Sequence, residues 1–240
     1  MSVINITKKQ GDRATGEIQE VSKAKYDRDY FENGVALGIS MYENYRWLPE
    51  LTMRMAHFLI KRLGIEENHT VLDFGCAKGY LVKALRLLGI KAYGCDISEY
   101  AIKMVDPEVE EYCRLSFSDD FIPFPEDLQF DWLIAKDVFE HLEEEYLQRL
   151  LKEAYKRCER MFVVVPLGEN DRFVVPEYEK DTTHVLAKNT QWWRQIFYAN
   201  GWQTKNLRYH MTGLKENWAQ RYPRGNGLFT LERMLRANAL

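Results

Sequence analysis

Apolar segments along the chain predict short strands that alternate with helices. Five of these segments have the length and apolar character of buried strands. They cover residues 70–75, 91–96, 112–117, 131–135 and 161–166. Strands that alternate with helices are joined by crossover connections, which produce a parallel sheet with helices on both faces. Two further strands, predicted at residues 203–209 and 228–231, bring the sheet to seven strands.

Apolar positions three and four residues apart predict the helices. They fall at residues 78–88, 143–158 and 190–200. Ser98 is placed to cap a helix after the second strand. Upstream, a longer helix has Pro49 in its first turn. Its apolar face comprises Leu51, Met55, Phe58, Leu59 and Leu63. We therefore divide the chain into an N-terminal tail with a helical cap, residues 1–64, and an α/β domain, residues 65–240.

The composition is typical of a globular protein with one α/β domain. Of the 240 residues, 46% are hydrophobic and 29% are charged. The formal net charge of −3 argues against a nucleic-acid partner, because proteins that bind a phosphate backbone carry a basic excess. No apolar segment could span a bilayer, so we expect no membrane partner. The four cysteines form no CxxC pair and are expected to be buried thiols in a reducing cytoplasm. They are Cys76, Cys95, Cys113 and Cys158.

The turn after the first predicted strand is the first candidate site, because ligands bind open parallel sheets at the carboxyl ends of their strands. Residues 73–79 have the sequence DFGCAKG. Gly75 lets the chain turn sharply, and Gly79 lets the next helix begin close to a ligand. N–H groups at a helix start can bind a carboxylate, and Asp73 can hold a positively charged amine. S-adenosylmethionine carries both groups.

Asp96 at the end of the second strand adds a second candidate contact. It lies about 20 residues beyond the glycines, where an acid can bind both hydroxyls of a ribose. Ile97 beside it can pack on an adenine. The alternatives are that Asp96 only caps the helix that follows, and that the turn belongs to another doubly wound fold. Together the two features favour an adenosine-type ligand.

The same segments resemble the class I, Rossmann-like, S-adenosylmethionine-dependent methyltransferases. VLDFGCAKGYLVKAL is similar to the first motif of that family, and YGCDISEYAI to its second. FIPFPEDLQFDWLIAKDVFEHL is similar to its acidic loop and fourth strand, and RMFVVVP to its fifth strand. The resemblance implies a three-layer sandwich with a mostly parallel seven-stranded sheet and an N-terminal helical cap. It also implies S-adenosyl-L-methionine as the cofactor and S-adenosyl-L-homocysteine as its product.

Further cofactor contacts follow from this resemblance. Family members usually place an acid near the end of the third strand to meet the adenine amino group, and Asp119 is our choice. Ala135 and Lys136 are similar in position to residues that line the methionine end of the cofactor. The predicted cofactor-binding residues are Asp73, Gly75, Cys76, Gly79, Asp96, Ile97, Asp119, Ala135 and Lys136.

Two histidines are candidate catalytic bases. Methyl transfer needs an aligned acceptor and, for a hydroxyl or amine, removal of a proton. His141 and His184 both lie near the predicted carboxyl edge, and His184 is preferred because no packing pattern explains its Asp-Thr-Thr-His segment. The alternative is that either histidine only packs or forms hydrogen bonds.

Asp137, Glu140 and His141 resemble the acid–x–x–Glu–His run with which ubiquinone-pathway O-methyltransferases bind a divalent metal. Mg²⁺ prefers oxygen ligands, so a histidine suits it poorly. The alternative is a turn and helix start, with Glu140 and Glu143 near the positive end of the helix. We prefer this alternative, and a metal ion is not favoured.

The predicted cap is rich in aromatic residues, which either hold it on the sheet or form a lid over the site. They include Tyr26, Tyr30, Phe31, Tyr42, Tyr45 and Trp47. Residues 26–51 resemble N-terminal parts of methyltransferases encoded with bacterial capsule and surface-polysaccharide genes. This implies O-methylation of a polar small molecule: a sugar, a nucleotide-linked precursor or a phosphate-type decoration. The alternatives are an RNA or protein methyltransferase and a non-catalytic homologue that binds an adenosyl ligand. The predicted substrate contacts are Tyr45, Arg46, Trp47 and Arg172.

Overall fold

A seven-stranded sheet forms the centre of the protein. The computed structural model describes residues 25–235. The strands are β1 (Thr70–Phe74), β2 (Lys91–Asp96), β3 (Cys113–Leu115), β4 (Phe130–Lys136), β5 (Cys158–Pro166), β8 (Trp202–Arg208) and β9 (Asn226–Arg233). Their order in the sheet is β3-β2-β1-β4-β5-β9-β8, and β9 runs antiparallel to both of its neighbours. This confirms the predicted mostly parallel sheet.

Helices precede the sheet and connect its strands. They are α1 (Arg28–Glu32), α2 (Gly34–Leu37), α3 (Pro49–Leu63), α4 (Tyr80–Leu87), α5 (Glu99–Lys103), α6 (Glu144–Arg157), α7 (Thr190–Ala199) and α8 (Glu216–Arg221). Ser98 caps α5 as predicted, because its hydroxyl accepts a hydrogen bond from the Ala101 amide at 2.9 Å. Among the described residues, no helix is both long and apolar enough to cross a membrane.

Helices cover both faces of the sheet, which gives the predicted three layers. Leu59 of α3 and Leu85 of α4 pack with Val71 on one face. Leu151 of α6 and Phe197 of α7 pack with residues of the strands on the other face. Because α3 joins one of these cores, it is part of the helical layer of the sheet. The division of the chain at residue 64 remains a prediction.

Two expectations about local structure were wrong. Leu51 was assigned to the apolar face of α3, but it is 59% exposed because it lies in the first turn, before the helix reaches the sheet. Strand β5 begins at Cys158 rather than at residue 161. Its first residues include charged ones, but they belong to the sheet because Cys158 pairs with Phe130 of β4. After Pro166 the structure also contains a hairpin of β6 (Gly168–Glu169) and β7 (Arg172–Phe173), for which the sequence carried no prediction.

The order of the strands reverses between β1 and β4, and ligands bind at such a point in open α/β sheets. The carboxyl ends of β1, β2 and β4 meet there. The cap helices α1 and α2 lie over this edge, where Phe31 stacks on Tyr100 of α5 with ring centroids 6.1 Å apart. All four cysteines are buried and free, as expected.

Candidate active site

A cavity of about 570 Å³ lies between the carboxyl edge of the sheet and the cap. A smaller cavity of about 100 Å³ extends toward the start of α4. Tyr42, Gly75, Ala77 and Asp137 line both, so the two cavities adjoin. Their lining residues place the two cavities at the ends of β1, β2 and β4.

Glycines shape the turn between β1 and α4. Gly75 has a φ of +80° and Gly79 a φ of +73°, a conformation that side chains with a Cβ rarely adopt. A Cβ at Gly75 would lie 2.4 Å from Val138 Cγ2, so the close approach to the turn after β4 also requires glycine. Gly79 precedes the first turn of α4 and gives it no side-chain cap. Backbone N–H groups at this helix start can therefore bind an anionic group.

Two buried carboxyl groups flank the glycine turn. The pKa of Asp73 is raised to about 7, because burial and the charge of Asp96 raise it by more than Lys136 lowers it. Burial also raises the pKa of Asp96, although backbone hydrogen bonds oppose the rise. Asp96 accepts hydrogen bonds from the amides of Ala77 and Ser98, each at 2.8 Å. These bonds fix the direction of the carboxylate, which lines the larger cavity.

The predicted cofactor-binding residues divide between the two cavities. Gly75, Asp96 and Ile97 line the larger one. Asp73, Cys76 and Lys136 line the smaller one, together with Gly75. Gly79, Asp119 and Ala135 line neither. Asp119 lies on the exposed surface, in the turn closed by the pairing of Phe117 and Asp120. Ser116 and Ser118 face the larger cavity in its place.

The predicted substrate contacts are only in part at the cavities. Tyr45 lines the smaller cavity. Trp47 packs beside Tyr80, with ring centroids 5.8 Å apart, and lines neither cavity. Arg46 and Arg172 are exposed and also line neither. The cap instead presents aromatic side chains to the larger cavity, namely Tyr26, Tyr30, Phe31 and Tyr42.

Lys78, which the sequence analysis did not select, joins the glycine turn to the cap. Its side chain is buried and forms an ion pair with Glu32 of α1. It also donates a hydrogen bond to the backbone oxygen of Tyr45 at 2.7 Å. The signal in the sequence is a lysine within a turn that is otherwise small and apolar. Lys78 therefore holds the cap directly on the candidate cofactor turn.

His141 and His184 come together although they lie 43 positions apart. Their ring centroids are 4.6 Å apart, and His141 lines the larger cavity while His184 lies behind it. Burial, together with the neighbouring His184, lowers the pKa of His141 to about 4. Burial also lowers the pKa of His184. Both imidazoles are therefore neutral at physiological pH and can use a lone pair.

The hydrogen bonds of the two rings define their tautomers. His184 Nδ1 lies 2.8 Å from the backbone oxygen of Tyr178, which can only accept. His141 Nδ1 lies 2.8 Å from Thr183 Oγ1, and that hydroxyl already donates to the carboxylate of Asp181. Each Nδ1 therefore carries the proton, and each Nε2 carries the lone pair.

Asp137 is held between two lysines at the end of β4. Its carboxylate lies 2.7 Å from Lys136 Nζ and 2.7 Å from Lys215 Nζ. Burial alone would raise the pKa of Asp137, but the two lysines outweigh it and lower the pKa. The residue has a φ of +56°, a strained backbone of the kind found at functional sites. Lys215 was not predicted, because it comes from the distant segment between β8 and β9.

Solved structures of methyltransferases share this architecture. An S-adenosylmethionine-dependent methyltransferase from Archaeoglobus fulgidus is similar with a TM-score of 0.58 and 16% identity, over 77% of this chain and 97% of that chain. The 1,6-didemethyltoxoflavin-N1-methyltransferase of Burkholderia thailandensis, bound to S-adenosylhomocysteine, is similar with a TM-score of 0.57 and 13% identity, over 98% and 94%. Magnesium protoporphyrin IX methyltransferase from Synechocystis PCC 6803, bound to S-adenosylmethionine, is similar with a TM-score of 0.53 and 14% identity, over 96% and 100%.

The fold is thus the Rossmann-like fold of class I S-adenosylmethionine methyltransferases. Residues 46–221 match the family described as "Methyltransferase domain", and the chain belongs to that family. No curated protein matches the chain.

Proposed function

We propose that the protein transfers the methyl group of S-adenosylmethionine to a hydroxyl of a polar small molecule. The observation that carries the proposal is one continuous site with two chemically different ends. The glycine turn and Asp96 lie at the sheet edge, and a histidine with a lone pair on Nε2 lines the same cavity. The first end suits an adenosyl ligand and the second suits removal of a proton.

The cofactor would occupy both cavities. Its carboxylate would bind the N–H groups at the start of α4, and its amine would meet Asp73. The ribose hydroxyls would bind Asp96, and the adenine would pack on Ile97 with its amino group near Ser116 or Ser118. Cys76 and Lys136 would line the methionine end. The exposed position of Asp119 argues against its contact with the adenine.

We further propose a sugar or a nucleotide-linked sugar as the acceptor, in a cytoplasmic step of surface-polysaccharide synthesis. The resemblance of residues 26–51 to capsule-associated methyltransferases supports this class. The cap also offers the tyrosine faces of Tyr26, Tyr30 and Tyr42 beside the polar groups of His141 and Thr183. Aromatic faces pack on the C–H face of a sugar while polar groups bind its hydroxyls. Lys25 lines the cavity and could meet a phosphate.

In the reaction, the acceptor oxygen forms the new bond to the methyl carbon as the carbon–sulfur bond breaks. The electron pair of that bond stays on sulfur, which becomes the neutral thioether of S-adenosylhomocysteine. The hydroxyl proton leaves toward the cluster of His141, His184 and Glu140. His141 is the nearer candidate because it lines the cavity, whereas His184 lies behind it.

The test combines cofactor binding with transfer of labelled methyl groups to a panel of sugars and nucleotide sugars. Binding of S-adenosylmethionine by the wild-type protein is expected in calorimetry. His141→Ala should keep that affinity and lose turnover. The matched control is His57→Ala, which removes an exposed histidine of α3 and should leave both properties unchanged. Normal turnover by His141→Ala would refute the role of His141, and failure of the wild type to bind the cofactor would refute the proposed function.

A further inference from the structure

We propose that Glu140, His141 and His184 form a binding site for a divalent first-row transition-metal ion such as Zn²⁺ or Mn²⁺. One ligand atom from each residue lies within 4.8 Å of the other two. Two segments supply them: the turn after β4 carries Glu140 and His141, and the loop after β7 carries His184.

The two imidazoles are oriented as metal ligands usually are. A ligating histidine almost always donates its second ring N–H to a carbonyl or carboxylate, which fixes the ring and its tautomer. His184 Nδ1–H donates to the backbone oxygen of Tyr178. His141 Nδ1–H donates to Thr183 Oγ1, which passes the interaction on to Asp181. Both Nε2 lone pairs are therefore available to an ion.

Glu140 supplies an independent indication of a cation site. Its side chain is 1% exposed, and within the described residues its Oε2 atom has no hydrogen-bond partner. A buried carboxylate without compensation is costly. His184 Nε2 is 4.0 Å from Glu140 Oε1, too far for a hydrogen bond. The nearby Lys136 and Lys215 are both paired with Asp137, so a cation between Glu140 and the histidines would supply the compensation.

The backbone holds the two segments against each other. The carbonyl oxygen of Glu140 accepts hydrogen bonds from the amides of Val185 at 2.8 Å and Leu186 at 3.0 Å. Ligand bonds of about 2.0–2.2 Å require the three atoms to draw together by up to about 1 Å, which rotation of the side chains can provide. Two imidazole nitrogens and one carboxylate oxygen suit Zn²⁺, Mn²⁺ or Fe²⁺ better than Mg²⁺ or Ca²⁺, which prefer all-oxygen sites. Asp137 is excluded as a ligand because its carboxylate is already ion-paired with Lys136 and Lys215.

Binding of the ion does not depend on the methyl transfer proposed above, but its use does. Since His141 lines the larger cavity, an ion on Nε2 would be within reach of an acceptor hydroxyl. A metal ion lowers the pKa of an oxygen that it binds, so the acceptor proton could leave to water without a protein base. The cluster then acts as ligands, and the histidines need not accept the proton themselves.

The test uses the full chain, freed of metal by a chelator, and Co²⁺ as a spectroscopic probe. The wild type should bind one equivalent with the visible absorption of a nitrogen-ligated ion. His184→Ala and the conservative Glu140→Gln should each weaken Co²⁺ binding by at least about tenfold. His57→Ala is the matched control and should bind like the wild type. Competition with Zn²⁺ should remove the absorption.

The outcomes separate this inference from the proposed function. Wild-type binding of Co²⁺ no tighter than that of His184→Ala would overturn the metal site. A variant could also lose Co²⁺ binding because it does not fold. Glu140→Gln is the conservative substitution that excludes this, provided that its thermal unfolding midpoint matches that of the wild type. S-adenosylmethionine binding is measured on the same samples. Cofactor binding without metal binding would refute the metal site alone, whereas metal binding without cofactor binding would refute the proposed methyl transfer.

Discussion

The charge of Asp73 is expected to make cofactor binding depend steeply on pH. Burial raises the pKa of this carboxyl to about 7 from a reference value of 3.8. A rise of about three units means that the charged form is disfavoured by about 4 kcal/mol in the ligand-free protein. The amine of a bound S-adenosyl ligand would stabilise the charge. Binding must therefore expel a proton whenever Asp73 is neutral beforehand.

The size of the effect follows from this pKa. About three quarters of the protein carries a charged Asp73 at pH 7.5, and about 3% does at pH 5.5. The Kd of S-adenosylhomocysteine should therefore rise about 25-fold between these two values. Titration calorimetry in buffers of different ionisation enthalpy should count about one released proton at pH 5.5 and about 0.25 at pH 7.5.

Asp73→Asn is the control that assigns the effect to this carboxyl. The variant cannot lose a proton, so it should bind weakly at pH 7.5 and show little change down to pH 5.5. A wild-type Kd that does not change with pH would refute the reasoning. It would also be refuted if the Kd of Asp73→Asn changed with pH as steeply as that of the wild type. The same raised pKa has the opposite consequence for ligand-free stability. The folded state holds the proton between about pH 4 and pH 7, so the free energy of unfolding should fall as the pH rises through that range.

Three further substitutions test the site. Asp96→Ala should weaken S-adenosylhomocysteine binding by about 1.5–3 kcal/mol in calorimetry, the range for a charged hydrogen bond, and an unchanged Kd would contradict the ribose assignment. Lys78→Met should speed hydrogen–deuterium exchange in residues 26–45, because the ion pair with Glu32 is lost; wild-type protection would contradict the role of Lys78 in holding the cap. Gly75→Ala should lower the free energy of unfolding by about 1–3 kcal/mol in urea titration, since it strains the backbone and places a Cβ against Val138; an unchanged midpoint would contradict this.

The sheet could be predicted because its strands carry a local signal. Strands that are buried on both faces appear as continuous apolar segments, and β2 was predicted with its observed bounds. The cap at Ser98 is equally local, since it depends on the spacing between a hydroxyl and the start of a helix. The turn after β1 was also predictable locally, because its two glycines indicate positions of positive φ, and the structure has positive φ at both. None of these features needs knowledge of distant contacts.

Contacts that depend on tertiary packing were not predictable. The sequence surrounding Lys215 does not reveal that its amine reaches Asp137, far away in the chain. The partner of Lys78 lies in the cap, 46 positions earlier. Arg172 shows the converse error, because its charge suggested a substrate contact whereas it lies exposed in a short hairpin. The sequence around a charged residue does not show whether its side chain pairs with a buried group or is exposed to solvent.

The two ends of the site are therefore built in different ways, with a consequence for specificity. The proposed cofactor end includes the turns that directly follow β1 and β2, so the same local sequence forms the fold and the proposed binding groups. The proposed acceptor end combines the cap, the turn after β4 and the loop that carries His184. Because these segments meet only through tertiary contacts, substitutions of cap residues that line the larger cavity can alter the acceptor while the contacts of Lys78 keep the cap on the glycine turn. Neighbours with this fold and different substrates are what such a division of the site would produce.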